Sequence, residues 1–141
     1  HESGVKIHGF PDRVEKLDDG SYLIVDFKSA RSVSHVADDI DTCLQIVIYA
    51  YLMEQKGFKV SGGEYRYIRL GETVKCRYDD GMKQLLYDKL SVFKEYVENA
   101  YFPTAEHAVE RGENDPDPCK YCKYGMICGK GMVVIGGPDY E

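Results

Sequence analysis

Asp26 and Lys28 stand two apart in Ile24-Val25-Asp26-Phe27-Lys28-Ser29. A strand there sends both side chains to one face, roughly 7 Å apart along the chain. A carboxylate and an ammonium so placed can serve one reaction centre. Asp12 ends the preceding extended stretch, in Gly9-Phe10-Pro11-Asp12-Arg13-Val14, and antiparallel pairing of the two stretches would bring it close to Asp26. Two carboxylates that close repel each other unless a cation lies between them. Mg²⁺ suits such a pair, because it takes hard oxygen ligands and keeps several waters. A water on that ion loses its proton more readily and can attack phosphorus. Lys28 could orient that water or offset charge developing on a phosphate. An Asp–Lys pair on an exposed strand, contributing almost nothing, has the same local sequence. The surrounding elements must decide between the two.

Residues 5–15 and 21–28 read as two strands joined by Asp18-Asp19-Gly20, a strong turn signal. The second alternates Tyr22, Ile24, Asp26 and Lys28 with Leu23, Val25 and Phe27. Residues 30–38 are polar and loop-like. Asp38 or Asp39 can cap a helix running to about Lys56, with Gly57 as its stop. Its apolar middle, residues 44–53, predicts burial against a sheet. Gln45 and Tyr49, four apart, fall on one face of this helix. Residues 64–70 and 74–78 read as a hairpin across Gly71-Glu72-Thr73. A second helix over residues 80–101 places Met82, Leu85, Leu86, Leu90, Phe93 and Val97 on one stripe. The order strand, strand, helix, strand, strand, helix predicts an α/β sandwich around a central mixed β-sheet flanked by helices. Arg13, next to Asp12 on a strand, points to the opposite face and reads as structural.

A chain of 141 residues, 43% hydrophobic and 30% charged, has the length and composition of one globular domain. No apolar run approaches the ~20 residues that span a bilayer, and the start lacks a signal-peptide pattern. The expectation is a soluble, cytoplasmic protein with no membrane partner. The formal net charge of -6 argues against a simple basic DNA-binding module. A site that concentrates carboxylates to hold cations is compatible with it.

The five cysteines are unevenly spread. An odd number without a secretion signal argues against a disulfide framework. Cys43 precedes Gln45 by two, faces away from it and reads as core. Cys76, between Lys75 and Arg77, reads as core as well. Cys119-x2-Cys122-x5-Cys128 crowds three thiols within ten residues, a spacing in which C-x-x-C forms a chelating turn. Pro118, Gly125 and Gly129 allow tight loops around them. Residues 103–118 read as a linker and residues 129–141 as a tail, leaving residues 1–102 as the core domain.

Three segments together resemble the PD-(D/E)XK nuclease superfamily. They are Gly9-Phe10-Pro11-Asp12-Arg13, Val25-Asp26-Phe27-Lys28, and Gln45-Ile46-Val47-Ile48-Tyr49, in order and in the matching elements. The likeness is to its RecB-type iron–sulfur branch, above all to the C-terminal nuclease domain of AddB-type helicase–nuclease subunits. That resemblance implies a restriction-endonuclease-like fold and Mg²⁺- or Mn²⁺-dependent DNA cleavage. It implies that Asp12, Asp26 and the Phe27 carbonyl are metal ligands and that Lys28 is the catalytic lysine. Gln45 and Tyr49 would line the DNA-facing wall. It also implies a [4Fe–4S] cluster on Cys119, Cys122 and Cys128, completed by an upstream cysteine outside this chain, with zinc as the alternative. The chain then reads as an excised part of a larger protein acting on DNA beside a helicase in break repair. CRISPR-associated adaptation nucleases share the same motifs, and a non-catalytic module that keeps the fold as scaffold is a rival of another class. The branch takes a further metal ligand, often a His, from an upstream helix. Neither His1 nor His8 is so placed, so weak metal binding and weak cleavage are expected of the piece alone. His35 could approach the site but reads as a solvated loop histidine.

Overall fold

Strand-forming sequence with a two-residue period meets one amphipathic and one largely buried helix, and the sheet is where they converge. The computed structural model describes residues 4–101 and residue 124. The chain divides into two units, His1–Tyr96 and Val97–Glu141, and the first holds the whole sheet. The elements run β1 (Arg13–Lys16), β2 (Tyr22–Lys28), α1 (Ile40–Glu54), β3 (Val60–Tyr67), β4 (Glu72–Arg77) and α2 (Asp80–Glu98), the last crossing the unit boundary. The sheet has the order β1-β2-β3-β4. β1 pairs antiparallel with β2, β2 parallel with β3, and β3 antiparallel with β4. The parallel step is the crossover that α1 makes possible, since parallel neighbours need a long connection. The expected mixed sheet flanked by helices is the observed architecture.

The first hairpin turns where the sequence predicts. Leu17 N–H donates to the Ser21 carbonyl at 2.8 Å. Ser21 gives both its N–H and its hydroxyl to the Asp19 carboxylate, which holds that carboxyl down at about 2. This contribution to the turn is complete above the ordinary aspartate value of 3.8 and is lost as pH falls through about 2. The first strand is shorter than the sequence suggests. Residues 5–12 pair with no strand among the described residues, and β1 begins at Arg13, two residues after Pro11, which has no N–H to give to a ladder. Asp39 is the N-cap of α1, accepting from the Thr42 N–H at 3.0 Å. Asp38 has a different job: its carboxylate accepts the Arg77 N–H at 2.7 Å and so extends β4 sideways.

β3 starts four residues earlier than expected, because Gly62 and Gly63 hide a strand from propensity. The second glycine is required by packing. A Cβ on Gly63 would lie 2.5 Å from Ile46 Cγ2 on α1 and 2.7 Å from the Ile24 carbonyl oxygen on β2. Around this close approach sits the core: Ile24, Ile46, Val47, Ala50, Tyr65, Tyr67, Met82 and Leu86. On α2 the stripe is narrower than predicted. Met82 and Leu86 are buried, whereas Leu85, Phe93 and Val97 are 42%, 56% and 49% exposed. A helix of this length advances roughly 28 Å, and only its first turns lie over the core.

Cys43 and Cys76 are buried, as expected of core residues, but they are not free thiols. They form a disulfide with a Cα separation of 5.8 Å that ties α1 to β4. The expectation of no disulfide is corrected by their placement: the register sets Cys76 beside Gly63, on the face that α1 covers. No pattern local to either cysteine carries that information.

On the other sheet face Arg66 forks onto Glu15, with Nη1 and Nη2 at 2.8 and 2.9 Å from its two oxygens, and gives Nε to Glu64. This bidentate pair joins β1 to β3 across the intervening β2. Arg13 Nε lies 2.8 Å from Glu15 in the same group. Among the described residues, no helix is long and apolar enough to cross a membrane. Gly63→Ala is expected to lower stability by roughly 1–3 kcal/mol, because the Ile24 carbonyl cannot yield as a side chain can. Chemical denaturation of the variant against the parent measures it.

Candidate active site

The register of the first hairpin decides which carboxylates meet. Arg13 pairs with Val25 where the ladder of the first hairpin ends, so Asp12, one residue earlier, lies at that end of β2. Asp12 Oδ2 accepts the Phe27 N–H at 2.9 Å, which turns that carboxylate onto the end of β2. Asp26 itself is only 4% exposed. Its Oδ2 lies 2.6 Å from Lys28 Nζ, yet the approach is too oblique to be a hydrogen bond. Among the described residues no other buried side-chain nitrogen or oxygen lacks a hydrogen-bond partner.

Lys28 is held from three sides. Beside Asp26, its ammonium donates to Gln45 Oε1 at 3.0 Å and stands 4.8 Å from the centre of the Tyr65 ring. Gln45 in turn donates from Nε2 to the Tyr49 hydroxyl at 3.1 Å. α1 thus presents Gln45 and Tyr49 on one face, as their spacing requires, and that face meets the strand carrying Lys28. Tyr49 also explains Gly9. A Cβ there would be 2.5 Å from Tyr49 Cε1, so the ring packs on a backbone that must lack a side chain. The Gly9 segment, the Asp26–Lys28 strand and the Gln45–Tyr49 helix are therefore in contact with one another.

β3 supplies residues that no sequence motif singles out. Parallel pairing sets Tyr65 beside Asp26 and Tyr67 beside Lys28. The Tyr65 hydroxyl donates to the Thr42 carbonyl at 3.0 Å. Burial, and then the charge of Asp26, push the Tyr65 phenol up to about 12, so it stays protonated at any ordinary pH. His35 is not a solvated loop residue. It is half-buried, stacked on Tyr65 with ring centres 3.7 Å apart, and its Nδ1 is hydrogen-bonded to the Tyr67 hydroxyl. Desolvation first, and then the nearby Lys28 ammonium, lower its pKa. The one signal for these tyrosines in the sequence is the Tyr65-x-Tyr67 spacing, which matches Asp26-x-Lys28. It becomes meaningful only once the two strands are known to be parallel neighbours.

A divalent cation fits these residues. Asp26 keeps a buried carboxylate oxygen without a hydrogen bond, Asp12 is bonded to the next residue along β2, and both carboxylates are hard oxygen donors. No group of three or more His, Cys, Asp or Glu side chains converges among the described residues. The side-chain donors at hand are thus two carboxylates, a sparse set that suits an ion keeping several waters. Arg13 stands apart on the opposite sheet face, paired with Glu15. Cys119, Cys122 and Cys128 lie outside the described residues.

Sheet and helices agree with what comparison with known families finds. The PD-(D/E)XK nuclease superfamily model matches residues 1–129, and the chain belongs to that superfamily. Its four-stranded mixed sheet and two helices have the restriction-endonuclease-like α/β fold, and membership implies a metal-dependent nuclease. No curated protein matches the chain.

If the two aspartates hold one cation, Asp12→Asn and Asp26→Asn each weaken Mn²⁺ binding by at least about tenfold. Arg13→Gln leaves it unchanged, because that side chain lies on the other face. Isothermal titration calorimetry of the three variants separates these outcomes.

Proposed function

We propose that this domain hydrolyses DNA phosphodiester bonds with Mg²⁺ or Mn²⁺ held by Asp12, Asp26 and the Phe27 carbonyl. The observation that supports it best is the buried Asp26 oxygen left without a hydrogen bond beside Lys28, with the Asp12 carboxylate bonded to the neighbouring Phe27 N–H. A buried carboxylate oxygen that has an ion pair but no hydrogen bond is only partly compensated, and a bound cation would complete the compensation while adding chemistry. When bound, the cation supplies an acidified water and neutralises phosphate charge. The protein's own groups do the rest. Asp12 and Asp26 would hold that cation, since carboxylates by themselves repel a phosphate. Lys28 brings an ammonium that can donate to an oxygen of that phosphate as charge grows on it. Gln45 keeps the ammonium from swinging into solvent, and Tyr49 steadies Gln45.

The finer reading is an exonuclease working beside a helicase in double-strand-break repair, as in AddB-type subunits, and it rests on the resemblance of the motifs. The same resemblance supports a nuclease core over residues 1–102 and a [4Fe–4S] cluster on Cys119, Cys122 and Cys128, and the polar composition of residues 103–118 supports a linker between them. A cysteine from elsewhere in the protein would complete that cluster, and its role would be to staple the chain.

Lys28→Ala is expected to lower Mg²⁺-dependent degradation of linear DNA by at least about 100-fold, a typical loss when one charge-stabilising donor is removed. Equal activity in that variant would refute the role of Lys28, whereas an intact parent protein that degrades no DNA with either metal would favour a scaffold-only module. Anaerobic purification of the intact protein should give a brown product carrying iron. A colourless product with zinc would replace the cluster by a zinc site.

A further inference from the structure

Most of residues 30–38 are exposed, yet the imidazole in the middle of them is fixed. The Tyr67 hydroxyl oxygen accepts two main-chain N–H groups, from Ser34 at 3.0 Å and from His35 at 3.2 Å. A phenol has two acceptor sites and one proton, so these two donors leave the proton to be given away. Its nearest acceptor is His35 Nδ1, with Ser34 Oγ farther off at 3.3 Å. If Nδ1 accepts, the neutral ring carries its hydrogen on Nε2. That nitrogen has no partner among the described residues. One ring face is taken by Tyr65, so what His35 can offer a ligand is the Nε2–H edge.

His35 lines a cleft of about 420 Å³ together with His8, Asp41, Gln45, Tyr49 and Tyr65. Tyr49 is in a similar state, with its oxygen accepting from Gln45 and its own proton given to no acceptor among the described residues. The cleft therefore has two neutral donors close to Lys28. A neutral donor suits this place, since a second cation would repel the lysine, and an acidic chain still needs groups that bind anionic oxygens. DNA offers those oxygens along its backbone, independent of sequence.

We propose that His35 is a substrate-binding residue, donating from Nε2–H to a non-bridging phosphate oxygen of the DNA strand next to the phosphate being cleaved. The inference rests on the nuclease reading and adds to it a contact from the loop between β2 and α1. Tyr67 is its positioning residue, because it sets both the tautomer and the course of the loop.

Steady-state cleavage of a linear oligonucleotide by the intact protein tests it. His35→Phe keeps the stack on Tyr65 but loses the donor. It is expected to raise KM roughly tenfold or more, the usual effect of losing a hydrogen bond to a charged group, with kcat within about twofold. His35→Gln, which retains an N–H near the same reach, should restore most of the loss. A scan with a single uncharged methylphosphonate at successive positions gives the sharper readout. The parent enzyme should lose about tenfold at one position, and His35→Phe should be insensitive at that position alone. Unchanged KM and an unchanged scan in His35→Phe would overturn the inference. So would failure of His35→Gln to differ from His35→Phe, because the hydrogen bond would then not be the cause. An intact parent protein that cleaves no DNA with Mg²⁺ or Mn²⁺ would instead remove the nuclease reading itself, so the two failures are distinguishable.

Discussion

Asp26 keeps one carboxylate oxygen inside the protein with an ammonium at 2.6 Å and no hydrogen bond, and much of the neighbouring structure can be understood as holding that arrangement. Burying an ionised group is costly unless it is paired and solvated by fixed dipoles. Lys28 supplies the opposite charge but poor direction, so the pair is close without being satisfied. Gln45 and the Tyr65 ring constrain the lysine. Their constraint keeps the ammonium beside the carboxylate and leaves the carboxylate able to take another ligand. An unmet acceptor of this kind is common where a site trades stability for function.

The sheet keeps this tension on one side. Ile24, Asp26, Lys28, Tyr65, Tyr67 and Cys76 share the face that α1 covers, where hydrophobic packing and the Cys43–Cys76 link hold the helix down. The opposite face carries the Arg66 fork onto Glu15 and its bond to Glu64. There, charges are paired well and joined across strands. β1 has only four residues, and the fork gives this short edge a second attachment to the sheet. Through β1's register that attachment also bears on where Asp12 lies.

Contacts among the three motif segments show why their residues go together. Gly9 lacks a side chain because Tyr49 occupies the space. Tyr49 accepts from Gln45, Gln45 accepts from Lys28, and Lys28 faces Asp26. Asp12 closes the chain of contacts by accepting the Phe27 N–H. Each link is a modest interaction of about 1 kcal/mol. Their collective effect is positional, since a change at any link moves the lysine or one of the carboxylates.

The sequence alone determined whatever depends on local period and local chemistry. Alternation placed Asp26 and Lys28 on one face, i to i+4 spacing placed Gln45 and Tyr49 together, and Asp19 and Asp39 announced a turn and a cap. Those features need only neighbours in the chain, so they can be read there. Tertiary structure decided what depends on pairing between distant segments. Parallel alignment of β2 with β3 put Tyr65 and Tyr67 beside the Asp26–Lys28 pair and, through Tyr67, fixed His35 in the site. Antiparallel alignment of β3 with β4 brought Cys76 under α1 to meet Cys43. Packing against Ile24 and Ile46 made a strand of a stretch whose glycines suggest none. The range of α2 followed from its apolar stripe, but how much of that stripe is covered did not. Register and packing join residues tens of positions apart, and nothing in either partner's immediate sequence encodes the other.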